Sequence, residues 1–449
     1  MSKSTKVAKK AVTLAHDGTA KRTICITAAL FMGLAHIVHL KQYVKGAIYA
    51  LIEVVFILFI PNIVGKIHDL ITLGDFQPDL PVRERDNSMF MLIDGVLVVV
   101  IVLFFLVVYY LSVKDALNEY HDYCINRVFK KTGSAFSSLL GKAFPVVGLA
   151  PSVGLVVFFV LVPLLFSASV AFTNYASPGH IPPANTVDWV GVDNFVAMFG
   201  GGSAWTTAFF RVAAWTLTWA TAATVTCYFG GLLMAVVLHE SKIRIKPLFR
   251  TIFILPYAVP AIVSMLVWNN LLNGTFGTIN QTLMQLGWMT DPIPWLSDAT
   301  LVKFVVVAIN LWAGFPYFML LSMGTMTAIS ADVYEAARID GASKVQTFKS
   351  ITLPLVLYQT MPLIIMSFTH NVNNFGAIFF LTGGAPPVSD TTTSGAGATD
   401  ILVTWIYKLT INLQEYKYAS VLAVLIFVVL APFAVWNFSR TKSYKEGEL

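Results

Sequence analysis

Long apolar runs separated by polar segments dominate the chain. A helix that crosses a bilayer needs about 20 mostly apolar residues. Stretches of that kind occur eight times, at 44–64, 89–111, 151–172, 208–238, 251–271, 303–325, 356–381 and 418–438. A ninth stretch, 23–39, is shorter and is interrupted by Gly33, His36 and His39. It is either a ninth span or an interfacial or re-entrant hairpin arm that does not cross. The pattern predicts an all-α polytopic membrane protein.

The composition strengthens this interpretation. Of the 449 residues, 56% are hydrophobic and 12% are charged, whereas soluble globular domains carry about 25% charged residues. This balance excludes a soluble single domain, a nucleic-acid binder and a disordered chain. The three cysteines, Cys25, Cys124 and Cys227, are too far apart in sequence to indicate a disulfide framework or a metal site.

The positions of lysine and arginine predict the orientation in the membrane. If the loops at 112–150 and 239–250 face the cytoplasm, that side carries 23 basic residues and the other side carries 7. Basic residues accumulate on the cytoplasmic side of membrane proteins. Both termini are therefore expected in the cytoplasm, which requires an even number of crossings. Eight spans satisfy that condition if 23–39 does not cross.

The spans and loops together predict five regions. They are a cytoplasmic N-terminal segment with the hairpin arm at 1–43, an accessory transmembrane pair at 44–111, a cytoplasmic linker at 112–150, a six-helix core at 151–438 and a cytoplasmic tail at 439–449. The Gly/Ser/Thr-rich run from Thr382 to Thr399 is expected to be flexible. Arg211 and Lys303, near helix ends, are expected to extend toward the membrane interface.

The cytoplasmic loop at 326–355 contains a distinctive motif. Glu335, Ala336 and Ala337 precede a turn at Gly341, and a second helix then leads to Pro354. On that second helix an apolar stripe is formed by Val345, Phe348 and Ile351. Pro354 suits the first turn of the next membrane helix, where its missing N–H costs little. This helix–turn–helix either docks on a partner or lies on the membrane surface.

The motif E-A-A-x3-G-x9-I-x-L-P, read from Glu335 to Pro354, resembles the coupling loop of importer-type ABC permeases. Several further stretches are similar to the maltose/maltodextrin permeases of the MalF type, a binding-protein-dependent sugar permease family: Leu255–Pro260, Asn310–Tyr317, Asn373–Phe375, Leu381–Gly384, Thr399–Val403 and Trp405–Thr410. The resemblance covers roughly 151–438. The enterobacterial form has a large periplasmic insert after the first core span, whereas the loop here is only 173–207.

The resemblance implies a subunit of a larger machine in the bacterial cytoplasmic membrane, working by alternating access. A second, MalG-like permease would complete a heterodimeric pore, two cytoplasmic ATPases would bind ATP and Mg, and an extracytoplasmic binding protein would deliver the sugar. The resemblance implies that the ATPases are contacted by the motif residues Glu335, Ala336, Ala337, Gly341 and Pro354. The chain has no G-x4-G-K-[ST] phosphate loop. It is therefore expected to be a transport permease, not an enzyme, without a cofactor of its own.

The resemblance also assigns candidate sugar contacts inside the membrane. They are Tyr257, Asn310, Gly314, Tyr317, Ser367, His370, Asn371 and Asn374. Amides and hydroxyls suit the hydroxyl groups of a neutral oligosaccharide, and aromatic rings suit its apolar face. An alternative remains for each Asn or Ser, which can instead hydrogen-bond a neighbouring helix. Tyr257 can equally pack between Pro256 and Pro260, where irregular backbone is expected to face protein or a water-filled cavity.

A second function class is also consistent with the sequence. Glu53 and Asp94 lie in or near apolar spans, and an ionisable residue in a membrane is a functional candidate by default. Together with His370 they would form the proton relay of an ion-coupled secondary sugar transporter. A structural pairing of the two acids is the favoured interpretation, because they lie outside the core. An intramembrane enzyme has no support, since catalytic His, Ser or acid pairs do not occur at helical spacing.

Overall fold

The computed structural model describes residues 18–126, 144–240 and 244–439. The remaining parts of the predicted N-terminal segment, linker and tail lie outside the described residues. Within these ranges the regular structure is helical, apart from one isolated β-bridge between Thr173 and Trp189. The chain divides into two compact units. Unit 1 contains residues up to 169 together with 178–188, and unit 2 contains 170–177 and the chain from 189 onward.

Unit 1 contains two short N-terminal helices and the first three long ones. Its helices are α1 Gly18–Leu30, α2 Leu34–Val38, α3 Tyr43–Thr72, α4 Ser88–Asn126 and α5 Phe144–Val156, followed by a π-helical turn Val157–Leu161 and by α6 Val162–Val170, whose last residue belongs to unit 2.

Unit 2 contains the remaining helices. They are α7 Asp193–Phe199, α8 Ala204–Glu240, α9 Lys246–Ala258, α10 Ala261–Leu271, α11 Thr278–Gln285, α12 Leu301–Thr327, α13 Ala331–Ile339, α14 Lys344–Thr347, a π-helical turn Phe348–Thr352, α15 Leu353–Val372, α16 Phe375–Thr382, α17 Thr391–Ser394, α18 Leu402–Ile411 and α19 Tyr416–Ser439.

The number of membrane-crossing helices confirms the predicted polytopic fold. In the described part of the chain, seven helices are long and apolar enough to cross a bilayer, and a bent helix pair raises the number to eight. Two predicted spans have different limits in the structure. The helix predicted at 89–111 continues to Asn126, and the one predicted at 356–381 is interrupted at Asn373 and Asn374.

The segment 23–39 folds as two short helices rather than as one long one. Gly33 separates α1 from α2 with a φ of +82°, a backbone angle that glycine adopts without strain. A Cβ at Gly33 would collide with the backbone oxygen of Gly46 on α3. The Glu53 carboxylate accepts a hydrogen bond from the backbone N–H of Met32 at the same turn. At 13 and 5 residues, both helices are shorter than a membrane span.

Unit 2 is built around α8, which packs along α12 over much of its length. Gly231 lies at the closest approach, because a Cβ there would come within 2.6 Å of the Met319 backbone nitrogen and the Phe315 backbone oxygen. Small residues permit such close helix crossings in membranes. Trp219, on the same helix, is completely buried. The packed pair of α8 and α12 positions the candidate site residues.

The segment from Thr382 to Thr399 is tightly packed, so the expectation of a flexible loop is wrong. Arg211 donates to both carboxylate oxygens of Asp390, at 2.9 and 3.0 Å, instead of extending to the interface as predicted. The same guanidinium donates to the backbone oxygens of Ala396 and Gly397. Asp400, which is completely buried, pairs with Lys408 at 2.6 Å. Glycine and hydroxyl side chains here serve close packing rather than mobility.

Candidate functional site

A sharp bend in one span positions the first candidate residue. The axes of α9 and α10 differ by 88° across a break at Val259 and Pro260, which confirms the irregular backbone predicted from the prolines. Tyr257 lies in the last turn of α9, just before the break. Its ring faces that of Tyr317 on α12, with centroids 6.2 Å apart, and both rings are exposed on this chain. The bend therefore brings two predicted sugar contacts together.

Asn310 and Gly314, one turn apart on α12, contact Cys227 of α8. The side-chain amide of Asn310 donates to the Cys227 sulfur at 3.4 Å, and the thiol donates to the Asn310 backbone oxygen at the same distance. A Cβ at Gly314 would lie 2.8 Å from that sulfur. These two candidates therefore form part of a helix–helix contact in this structure.

The other candidates lie at the end of α15 and the start of α16. Asn371 is buried and donates to the Thr224 hydroxyl on α8 at 3.0 Å. Asn374 caps α16 by accepting a hydrogen bond from the Ala377 backbone N–H. Ser367 is partly buried and His370 is exposed. Asn371, Asn374 and His370 therefore differ in their surroundings: an interhelical contact, a helix cap and an open surface.

Two residues of α8 that sequence reasoning missed join these groups. Thr224 accepts a hydrogen bond from Asn371. Cys227 accepts one from Asn310 and lies close to Gly314. Three residues of α-helix rise only about 4.5 Å, so α12 and α15 contact α8 at the same level. Neither residue has a sequence signal, since a Thr and a Cys inside an apolar run are ordinary core residues.

The cytoplasmic motif has the predicted helix–turn–helix form. α13 carries Glu335, Ala336 and Ala337, of which only Ala337 is buried. Gly341 makes the turn with a φ of +75°. The second arm begins at α14 and runs continuously into the next span. Pro354 occupies the first turn of α15, as expected.

Two contacts brace this loop against neighbouring elements. The Tyr334 hydroxyl lies 3.2 Å from the Thr352 hydroxyl and so ties the first arm to the start of the span. Lys344, at the start of α14, pairs with Glu240 at the end of α8 at 3.0 Å. Glu335, Ala336 and Gly341 remain exposed on this chain.

The acids proposed for a proton relay are already engaged in structural contacts. Glu53 accepts from the Met32 backbone, and Asp94 pairs with Lys66 at 2.9 Å. His370 belongs to a different unit from both acids. These contacts agree with the structural pairing favoured from the sequence, and nothing supports the ion-coupled alternative.

Comparisons with known proteins show the family to which the chain is related. Residues 227–440 match the family model described as "Binding-protein-dependent transport system inner membrane component". The galactooligosaccharides transport system permease protein GanP of Bacillus subtilis is 36% identical over 426 residues, which are 95% of this chain and 99% of that protein. The maltodextrin transport system permease protein MalC of Streptococcus pneumoniae is 33% identical over 429 residues, 93% of this chain and 95% of that protein.

Among solved structures, a crystal structure of a bacterial alginate ABC transporter, in complex with an alginate pentasaccharide-bound periplasmic protein, has a chain of similar fold. The TM-score is 0.55 at 20% identity, covering 68% of this chain and 97% of that one. The described helices therefore have the fold of an ABC transporter permease.

The chain therefore belongs to the family of binding-protein-dependent transport system inner membrane components, as an ABC sugar permease of the MalF type. This confirms the resemblance drawn from the motifs and the location as a multi-pass protein of the plasma membrane. A permease of this family is a transport subunit. Membership implies a binding protein, ATPase partners and a second permease.

Proposed function

We propose that the chain is one half of the pore of an ATP-driven importer for neutral oligosaccharides of the maltodextrin type. The observation that carries the proposal is the coupling loop at 326–355, a helix–turn–helix that Tyr334 and Lys344 connect to neighbouring elements, on a chain without a phosphate loop. With Glu335, Ala336 and Gly341 exposed, this loop is suited to docking by a separate ATPase. The second permease is proposed to be MalG-like, and ATP and Mg would be bound by the ATPases.

The coupling residues are proposed to divide their roles by exposure. Glu335, Ala336 and Gly341 are available to the ATPase, whereas Ala337 packs the first arm against this chain. Pro354 fixes the start of the membrane helix that the loop moves. Closure of the ATPases on ATP would then be transmitted to α15, which carries Ser367, His370 and Asn371.

The sugar path is proposed to run along the exposed aromatic pair and the end of α15. Tyr257 and Tyr317 offer ring faces for stacking on a glycosyl ring. Ser367 and His370 offer hydrogen bonds, and Asn374 keeps its amide nitrogen for a ligand while its oxygen caps α16. Asn310, Gly314 and Asn371 support the path by holding α12 and α15 on α8.

The substrate class rests on two relatives that differ in their sugar. GanP is named for galactooligosaccharides and MalC for maltodextrin. Galactooligosaccharide import is therefore the second candidate, and it needs the same neutral, hydroxyl-rich site. The ion-coupled transporter has no observation in its favour.

Sugar-stimulated ATP hydrolysis by the complete complex in proteoliposomes distinguishes these candidates. Maltotriose with the binding protein is expected to raise the hydrolysis rate, while a galactotriose of matched length is expected to have a smaller effect. A larger effect of galactotriose would assign the second substrate class. Transport of either sugar without ATP, driven by a pH gradient, would contradict the proposal.

A further inference from the structure

A basic cavity lies between α1 and the C-terminal part of α4 in unit 1. Its volume is about 280 Å³, and its polar lining consists of Lys21 from α1 and Lys114, Asn118, Tyr120 and His121 from α4. Carboxylates are absent from the lining contributed by the described residues. The cavity therefore presents two ammonium groups and an imidazole to whatever occupies it.

Two acids of α4 near the cavity are paired with residues outside it. Asp115 pairs with Lys45 at 2.5 Å and with His36 at 3.0 Å, on the side of α4 that faces α2 and α3. Glu119 accepts from Gln42 at 3.2 Å on that same side. Asp122 does not line the cavity. In the part of the chain that the structure describes, no ion pair joins a carboxylate to Lys21 or Lys114, and their charge is available to a ligand.

The position along α4 places the cavity at a membrane surface. Asp94, paired with Lys66, lies near the end of α4 that the sequence predicts to be external. Lys114 follows about 20 residues later, which is roughly 30 Å along an α-helix and equals the thickness of the hydrocarbon core. The cavity therefore lies at the phosphate level of the opposite leaflet. The lysine and arginine distribution assigns that side to the cytoplasm.

An apolar strip continues from the cavity toward the membrane centre. Tyr110, Val107 and Leu103 precede Lys114 by 4, 7 and 11 residues, which places all four on one face of α4. These three side chains are 64, 55 and 55% exposed. A ligand with a charged head and a hydrocarbon tail fits this combination, because its tail would cover the strip while its head fills the cavity.

We propose that this cavity binds the phosphate head group of an anionic phospholipid from the cytoplasmic leaflet. Lys21 and Lys114 pair with the phosphate, while Asn118 and His121 donate hydrogen bonds to its oxygens. A zwitterionic lipid binds less well because its own ammonium group is repelled by the two lysines. The bound head group bridges α1 and α4 and so fastens the N-terminal hairpin. The proposal does not depend on which sugar is transported.

Lipid retention by the purified complex tests the assignment. The complex is reconstituted in phosphatidylcholine containing phosphatidylglycerol, and the lipids that stay bound are counted by native mass spectrometry. Wild type is expected to retain phosphatidylglycerol in preference to phosphatidylcholine. Lys21→Gln and Lys114→Gln are each expected to weaken that retention about fivefold. Arg22→Gln is the matched control, because Arg22 is adjacent and exposed but does not line the cavity.

Further arms of the experiment separate a binding site from a loss of fold and from a soluble ligand. Lys114→Arg keeps the charge and is expected to retain the lipid. Equal retention of both lipids by wild type, or an equal loss in Arg22→Gln and Lys21→Gln, would overturn the proposal. If glycerol 3-phosphate, which lacks acyl chains, displaces the lipid at equal concentration, the site binds soluble phosphate and the lipid assignment is wrong.

Discussion

At the residue scale, Gly314 is the most restrictive of the candidate positions. Its α-carbon faces Cys227, and an added Cβ would lie 2.8 Å from the sulfur. Gly314→Ala is therefore expected to destabilise the permease by about 1–3 kcal/mol through overpacking. Thermal unfolding of the purified complex measures the effect, with Gly324→Ala as the control, since Gly324 is on the same helix and has open space around it.

The same contact allows a double-mutant test of the cause. Cys227→Ala removes the sulfur, so Gly314→Ala should be less destabilising in that background than in wild type. If the two substitutions add without interaction, the contact between α8 and α12 does not explain the glycine.

The pair of exposed tyrosines predicts a specific effect on transport. Tyr317→Ala removes one ring of the pair with Tyr257 and is expected to weaken the apparent sugar affinity by about three- to tenfold. Concentration-dependent uptake in proteoliposomes measures it, and Tyr317→Phe, which keeps the ring, should retain most of the affinity. Tyr358→Ala is the control, because Tyr358 is an exposed aromatic residue outside the candidate site. An equal loss in both alanine variants would argue against a stacking role.

Sequence reasoning at this scale located residues but not their neighbours. Asn371 and Asn374 were predicted inside one span at 356–381, but Asn371 lies at the end of α15 and donates to Thr224, whereas Asn374 caps the separate helix α16. Arg211 was expected at the interface because it lies near a helix end, but Asp390, far along the chain, pairs with it. A side chain's partner depends on tertiary packing, which local spacing does not encode.

At the element scale, the N-terminal hairpin depends on one buried acid. Glu53 is 8% exposed and accepts from the Met32 backbone at the turn between α1 and α2. Glu53→Leu keeps an apolar side chain of similar size but removes the acceptor, so it is expected to weaken this docking by about 1–3 kcal/mol, the cost of an unsatisfied buried donor. Hydrogen exchange across 18–38 should then become faster. Asp94→Asn is the control, since a more exposed pair contributes about 0–1 kcal/mol. Unchanged exchange in Glu53→Leu would contradict the role assigned to the acid.

The external segment 382–411 depends on buried ion pairs in the same way. Asp390 is only 7% exposed in its side chain, so Arg211→Met would leave an uncompensated charge and cost about 3–5 kcal/mol. Limited proteolysis between Gly383 and Ile401 is expected to become faster. Lys417→Met, which breaks a more exposed pair with Glu415, should leave cleavage unchanged. Resistance to cleavage in Arg211→Met would show that the ion pair does not hold the segment.

Elements marked by a long apolar run or by proline were predictable from the sequence, and the others were not. Long apolar runs define the spans because a bilayer demands a fixed length of apolar helix. The bend at Pro260 followed from proline chemistry. The break at Asn373 had no such signal. The close packing of 382–399 was not predicted, because its Gly/Ser/Thr-rich composition is typical of flexible loops.

At the scale of the whole molecule, two exposed features indicate that the chain works as a subunit of a larger complex. Its coupling loop leaves Glu335 exposed on the predicted cytoplasmic side, and its aromatic pair is open on this chain. The family explains both features, because ATPases and a second permease belong to transporters of this kind. Composition and lysine distribution were sufficient for the membrane class and the span number. The function required the motif, since charge and hydropathy are shared by many transporters.

We propose that ATP hydrolysis by partner subunits drives sugar uptake, and that the loop at 326–355 transmits the movement of the ATPases to the membrane helices. The most direct test is maltotriose uptake by proteoliposomes containing the complete complex and ATP, comparing wild type with Glu335→Lys. Asp291→Lys, the same charge reversal on an exposed external residue, is the control. Uptake is expected to require ATP and to be abolished by Glu335→Lys but not by Asp291→Lys. Uptake that persists in Glu335→Lys, or that proceeds without ATP along a pH gradient, would contradict the proposal.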